Sequence, residues 1–169
     1  MHFSSTGILG LALAACATQV SVPTNLQLPD TERPALQLHA EGVQIYECKA
    51  NGQDATKLQW VFKAPEAQLY DASGKLIGKH YAGPSWEGND GGKVVGQVRA
   101  QADAPAANAI PWLLLSAKTS PDDGLFAKVK SIQRVNTAGG KSPPECTAAE
   151  LGTVSRIPYF ADYIFSVSR

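Results

Sequence analysis

The sequence predicts an all-β protein whose single domain is an antiparallel β-sandwich or barrel of about eight or nine short strands. The first observation behind this prediction is that apolar and polar residues alternate along short runs, as in strands with one buried face. The second is that turn residues separate these runs, since the 169 residues include 15 Gly and 11 Pro. The third is the chain length, which suits one ordinary domain.

The charge of the chain is balanced, with 15 Lys and Arg against 15 Asp and Glu. The basic residues form no run that could follow a phosphate backbone. We therefore expect no nucleic-acid partner. The hydrophobic content of 44% fits a folded, turn-rich domain better than a disordered chain.

The amino terminus has the pattern of an export signal. Residues 1–15 are uncharged and largely apolar, about as long as a signal-peptide core and too short to cross a bilayer. They lead into Leu13-Ala14-Ala15-Cys16, which resembles the bacterial lipobox, where the cysteine receives the lipid and becomes the first mature residue. The other interpretation is an ordinary signal peptide in which Cys16 is incidental.

A tether is expected between the signal and the folded domain. Residues 16–34 contain three prolines and no periodicity, and the single β-rich domain is expected over residues 35–169. Two or three acyl chains on Cys16 would anchor the protein firmly in a membrane. The expected location is therefore the cell envelope, either as an outer-membrane lipoprotein or in the periplasm.

The two remaining cysteines, Cys48 and Cys146, are expected to form a disulfide. An oxidising compartment favours the bond, and lipidation of Cys16 leaves an even number of thiols. Closing a loop of about 100 residues is worth about 4 to 5 kcal/mol in the chain-entropy model. Metal binding is the weaker alternative, because neither cysteine has a second cysteine or a histidine at ligand spacing.

The domain begins with a predicted hairpin. Residues 35–40 and 42–49 are short apolar runs, and Glu41-Gly42 between them is a turn-sized interruption. Asn51-Gly52 then ends the second strand, because Asn-Gly strongly favours a tight turn.

A second predicted hairpin lies at the centre of the chain. Asp71-Ala72-Ser73-Gly74 offers an Asx-type turn and a glycine, so the alternating run that starts at Leu58 can reverse into a strand over residues 75–82. Another reversal leads into a strand over residues 93–101, in which Gly96 marks a bulge or a close approach of two segments.

The second half of the domain predicts three more strands. Residues 110–118 form the most hydrophobic segment, whose length fits a central strand in the core. Residues 126–136 fit a strand with a bulge, and residues 159–167 alternate regularly. Before the last strand, Thr147-Ala148-Ala149-Glu150 has capping-box spacing and predicts a short helical turn.

The candidate ligand-binding residues lie around one predicted loop. Trp86 is flanked by Pro, Ser, Glu and Gly, so it has less reason to be buried than a tryptophan within an apolar strand. With its polar neighbours, the candidate set consists of His80, Tyr81, Trp86, Glu87 and Asp90. A tryptophan that only covers a loop is the alternative. The expected partner is a small ligand, a glycan or a protein.

A hydrolytic or metal-dependent enzyme is the competing hypothesis, with His80 as base or ligand beside Glu87 and Asp90. The sequence has no motif for it, because Ser85 lacks the second glycine of a nucleophile elbow and the histidines lack metal-ligand spacing. We therefore assign no catalytic residue, no metal ligand and no cofactor. A passive structural protein without a small ligand is the third possibility.

Five segments of the chain together resemble one family. Their order and spacing are similar to those of the family called domain of unknown function 3455, found in exported bacterial and fungal proteins, over nearly all of residues 23–166. The resemblance implies export and a single domain, and it implies no activity. The lipobox is a feature of this chain and not of the family. The segments are residues 42–48, 60–67, 80–87, 110–115 and 134–140.

Overall fold

Eight strands form one antiparallel sheet in the computed structural model, which describes residues 21–119 and 124–169. Each strand pairs with the next one along the chain, and β1 also pairs with β8, so the sheet closes into a barrel. The predicted all-β antiparallel fold is confirmed. The strands are β1 (Glu32–Ala50), β2 (Leu58–Tyr70), β3 (Leu76–Tyr81), β4 (Ser85–Gly88), β5 (Lys93–Ala102), β6 (Trp112–Thr119), β7 (Ser131–Gly139) and β8 (Val154–Ser168).

The first strand is longer than the sequence predicted. The hairpin predicted at Glu41-Gly42 is wrong, because both residues lie inside β1, which continues for 19 residues. Gly42 forms no turn but allows β2 to approach β1 closely. A Cβ at this position would lie 2.1 Å from the Glu66 carbonyl oxygen and 2.5 Å from the Ala67 Cα. Only glycine permits this contact between β1 and β2.

The hairpin between β2 and β3 has the predicted turn. The Asp71 carboxylate oxygen Oδ1 accepts hydrogen bonds from the backbone amides of Ser73 and Lys75, at 2.9 and 3.0 Å. Gly74 has a φ of 81°, a conformation that glycine adopts without steric cost. This prediction is confirmed.

Cys48 and Cys146 form the predicted disulfide, with their Cα atoms 5.8 Å apart. The bond joins β1 to the segment between β7 and β8. The predicted capping box follows directly, where the Thr147 amide donates a hydrogen bond to the Glu150 carboxylate at 2.8 Å. The predicted signal peptide over residues 1–15 and the lipidation site Cys16 lie outside the described residues.

The described segment before β1 packs on the domain, whereas a tether was predicted over residues 16–34. Leu26 is fully buried, and the Gln133 side-chain amide donates a hydrogen bond to its carbonyl at 2.6 Å. The domain therefore begins before residue 35, because apolar side chains on the outer face of the sheet need a cover. The covered residues include Trp112, Leu114 and Val135.

The most hydrophobic segment forms β6, which is buried on both faces. Leu113 and Leu115 pack with the barrel interior, while Trp112 and Leu114 lie under the amino-terminal segment. A strand covered on both faces has a continuous apolar sequence and no alternation. This placement confirms the core position predicted for residues 110–118.

The barrel interior is filled at the end where β7 begins. Phe126 is fully buried there, and its ring centroid lies 4.8 Å from that of Phe165. Aliphatic and small side chains complete this packing, including Leu38, Leu69, Val94 and Ile132. The other end of the interior contains a cavity.

Among the described residues, no helix has the length and hydrophobicity that spanning a membrane requires.

Candidate functional site

The cavity opens through a gap in the barrel wall. The gap exists because the β3–β4 hairpin is too short to pair with the whole of β2 and β5. β3 pairs with β2 only over residues 67–70, and β4 pairs with β5 only as far as Val95. Beyond the hairpin turn, no described strand lies between the first half of β2 and the second half of β5. Phe62 and Val98 line the cavity from these two strands, and each is 51% exposed. The gap therefore provides a route from solvent into the barrel.

The cavity has a volume of about 500 Å³, which lies within the usual range for small-molecule sites. Its wall is mainly apolar and aromatic, with a few polar side chains and no Asp or Glu among the described residues that line it. The principal lining residues are Gln44, Tyr46, Phe62, His80, Trp86, Val98, Ile110, Leu113, Leu115, Arg134 and Tyr163.

The inner wall of the cavity is formed by a stack of His80 on Trp86. The two residues are directly paired between β3 and β4, and their rings lie 4.4 Å apart at an angle of 13°. The edge of Tyr163 approaches the indole, with centroids 5.2 Å apart. Gly96 permits this packing, because a Cβ there would lie 2.9 Å from the Trp86 ring. The close approach predicted at Gly96 is thus confirmed.

His80 is a neutral imidazole in this position. Burial lowers its pKa to about 3, and the Arg134 charge acts in the same direction, against the hydrogen bond to Ser85. Its Nδ1 lies 2.8 Å from the Ser85 carbonyl oxygen, so Nδ1 carries the proton and donates. The Nε2 atom consequently keeps a lone pair and can accept a hydrogen bond.

Arg134 brings a positive charge into the cavity wall. Its Nε and Nη2 atoms donate hydrogen bonds to the Pro111 carbonyl at 3.0 and 2.7 Å. The Thr137 hydroxyl donates to the Ile110 carbonyl at 2.7 Å, so β7 holds the segment before β6 against the barrel end. Within residues 21–119 and 124–169, no carboxylate forms an ion pair with Arg134.

Several buried polar atoms have no hydrogen-bond partner in the described part of the chain. Three of them belong to cavity-lining side chains: Gln44 Nε2, Trp86 Nε1 and the Tyr163 hydroxyl. The Tyr159 hydroxyl is a fourth. Burial raises the pKa values of both tyrosines, so their hydroxyls stay protonated and can donate. Buried donors without partners are costly, and a polar ligand in the cavity can accept hydrogen bonds from those that belong to lining residues.

The structure does not bring the five predicted ligand-binding residues into one site. His80 and Trp86 line the cavity, and Trp86 lies in β4 and is only 1% exposed, whereas the sequence placed it on an accessible loop. Successive residues of a strand face opposite sides. Tyr81 and Glu87 are therefore on the outer face, where the Tyr81 hydroxyl donates to the Glu87 carboxylate at 2.6 Å.

Tyr81 and Glu87 belong to a cluster of polar and charged side chains on the outer face of the sheet. The Tyr81 hydroxyl and the Lys79 ammonium, whose Nζ lies 3.1 Å from Glu87 Oε1, hold the pKa of Glu87 below its ordinary value. Lys93 lies over the Tyr81 ring, 5.1 Å from its centroid. These contacts connect β3, β4 and β5 on the solvent side.

Asp90 has a structural position in the turn between β4 and β5. Its Oδ1 accepts a hydrogen bond from the Gly92 amide at 3.0 Å, and its Oδ2 accepts one from the Leu125 amide at 2.7 Å. His80, Glu87 and Asp90 thus lie on the inside, the outside and a turn, so they form no shared reaction centre. No three His, Cys, Asp or Glu side chains of the described residues are grouped as a metal site.

The site residues predicted from the sequence did not include Arg134, Gln44 or Tyr163. The spacing in β7 could have identified Arg134. It is a charged residue two positions after Ile132, which faces the barrel interior, and residues two apart in a strand face the same side. A charged side chain on the buried face of a strand usually has a specific function. Tyr163 and Gln44 carry no comparable signal, since tyrosine and glutamine are common in strands.

The chain has the sequence features of one family. The model of the family described as protein of unknown function (DUF3455) matches residues 29–166. The chain belongs to this family. The resemblance found in the five sequence segments is confirmed, and the matched region of this DUF3455 protein covers all eight strands apart from the last two residues of β8. No curated protein and no solved structure matches the chain.

Proposed function

We propose that this DUF3455 protein is an exported, lipid-anchored protein of the cell envelope that binds a small molecule inside its barrel. The observation that carries the proposal is the cavity of about 500 Å³, which joins an apolar wall to buried hydrogen-bond donors without partners. Apolar pockets with a few convergent polar groups are the usual form of small-molecule sites. The gap beside the β3–β4 hairpin gives such a ligand access.

A hydrolytic enzyme has less support than a binding protein. The most strongly perturbed titratable side chain of the cavity is His80, which is neutral and hydrogen-bonded to a backbone carbonyl. Among the described residues, the cavity lining contains no carboxylate and no serine or cysteine nucleophile. The stacked His80–Trp86 pair instead forms part of the apolar and aromatic wall of the cavity.

Ligand binding can be tested with the neutral fluorescent compound N-phenyl-1-naphthylamine (NPN). We expect saturable binding of one molecule per chain, with fluorescence enhanced by the apolar wall. Ala82→Trp places an indole at the exposed turn beside the cavity and should weaken binding about tenfold or more. Ala72→Trp, on the exposed β2–β3 turn, is the matched control and should bind as the unmodified protein does. Equal binding by both variants, or no saturable binding at all, would contradict the proposal.

The anchoring part of the proposal has separate support. Leu13-Ala14-Ala15-Cys16 resembles a lipobox, and the disulfide between Cys48 and Cys146 is of the kind that forms in oxidising compartments. Mass spectrometry of the mature amino-terminal peptide checks it. We expect a peptide that begins at Cys16 and carries acyl chains, whereas an unmodified Cys16 would contradict lipidation.

A further inference from the structure

We propose that the cavity selects a small amphipathic carboxylate, whose carboxylate binds Arg134 and whose apolar body lies against Trp86. This inference rests on the proposed binding function and specifies its ligand class.

The cavity wall carries one positive charge that no carboxylate of the described residues balances, that of Arg134. Two basic side chains line the cavity, Lys63 and Arg134. Lys63 Nζ lies 3.5 Å from the Glu47 carboxylate, so a protein group already balances its charge. Arg134 has no such partner in the described chain, and the described lining contains no acidic residue. An anion is therefore the complementary ligand.

The guanidinium of Arg134 is held in a fixed orientation, and some of its N–H groups are not used in hydrogen bonds to the protein. Two of its five N–H groups bind the Pro111 carbonyl, which leaves three N–H groups for a ligand. A planar fork of this kind matches the two oxygens of a carboxylate.

Other donors line the cavity together with the guanidinium. Arg134 and Tyr163 are directly paired between β7 and β8, so their side chains lie on the same face of the sheet. The unpartnered Tyr163 hydroxyl and Gln44 amide line the same cavity. A carboxylate has four lone-pair positions, so it can accept from these groups as well as from arginine.

The rest of the cavity excludes a simple inorganic anion as the best occupant. Trp86, Ile110 and Leu115 form an apolar surface that a phosphate or sulfate ion would leave uncovered. Removing apolar surface from water favours binding. A ligand with an acidic head and an apolar or aromatic body satisfies both parts of the wall.

The test is competition against bound NPN by matched pairs of acids and amides at pH 7.5. The pairs are 1-naphthylacetate with 1-naphthylacetamide, and octanoate with octanamide, which differ within each pair only in the charged group. We expect at least one acid to compete about tenfold or more better than its amide. Arg134→Gln should reduce this preference to about twofold or less. Arg156→Gln removes an arginine from the outer face, where it contacts Glu66 at 2.7 Å, and should keep the preference.

The outcomes separate this inference from the proposed function. If NPN does not bind the unmodified protein, the binding function itself fails. If NPN binds and neither acid outcompetes its amide, the carboxylate inference is overturned and the binding function stands. This comparison needs no variant, so misfolding of Arg134→Gln cannot obscure it. If Arg134→Gln binds NPN and retains the preference for the acid, the assignment of Arg134 is overturned.

Discussion

The Cys48→Ala/Cys146→Ala double variant should lose about 4 kcal/mol of unfolding free energy relative to the oxidised protein. The bond closes a loop with a sequence separation of 98 residues, and a loop of this length restricts the unfolded chain strongly. Since typical domains have only about 5 to 15 kcal/mol of stability, such a loss would leave the fold marginal. Urea unfolding followed by tryptophan fluorescence measures the change.

The control for this experiment is the unmodified protein in a reducing agent. Its stability should fall to nearly that of the double variant, because both lack the covalent link. Cys16 is the same in every sample and does not affect the comparison. A difference of less than about 1 kcal/mol between oxidised and reduced protein would show that the disulfide contributes little to stability.

Acid should destabilise the protein through His80. Its pKa is about 3 in the folded state against an ordinary value of 6.5, so between these values the unfolded chain binds one more proton than the folded chain. Stability from this residue is therefore complete above about pH 6.5 and is lost as the pH falls. Between pH 6 and pH 4 we expect the unfolding free energy to decrease by about 2 to 3 kcal/mol from this cause.

The measurement is chemical unfolding at a series of pH values for the unmodified protein and His80→Gln. The glutamine amide can still donate to the Ser85 carbonyl but cannot take up a proton in this range, so the curve should be flatter. His39→Gln is the matched control, because His39 is a half-exposed histidine near Asp162 on the outer face. A pH dependence of His80→Gln equal to that of the unmodified protein would contradict the prediction.

Local patterns in the sequence were sufficient where one segment determines its own structure. The alternation over residues 159–167 predicted part of β8, since alternate residues such as Tyr159 and Tyr163 are buried. The Asp71 turn and the Thr147 capping box depend on hydrogen bonds within a few residues, and both were correctly predicted. The expected oxidising compartment and the number of cysteines left beside Cys16 together predicted the Cys48–Cys146 bond, which the structure contains.

Patterns failed where a distant segment decides the role of a residue. Gly42 was interpreted as a turn because nothing nearby shows that β2 approaches it closely. The segment around Leu26 was interpreted as a tether because it contains prolines and no periodicity, and the surface that it covers belongs to β6 and β7. Trp86 was expected on a loop, although pairing with β3 and β5 makes its segment a buried strand.

The candidate site was predictable only in part for the same reason. His80 and Trp86 belong to the predicted set and both line the cavity, but the register of β3 and β4 separates them from Tyr81 and Glu87. Arg134 lies about 50 residues further along the chain, and only the closure of the barrel brings it to the same cavity. No local spacing in the sequence indicates that Arg134 lines the same cavity as His80 and Trp86.

A crystal structure of the protein with NPN bound tests most directly whether the barrel cavity is the ligand site. We expect the naphthalene ring to lie inside the barrel against Trp86, with the molecule entering beside Phe62 and Val98. A molecule bound instead on the outer face near Tyr81, with the cavity wall uncontacted, would contradict the account.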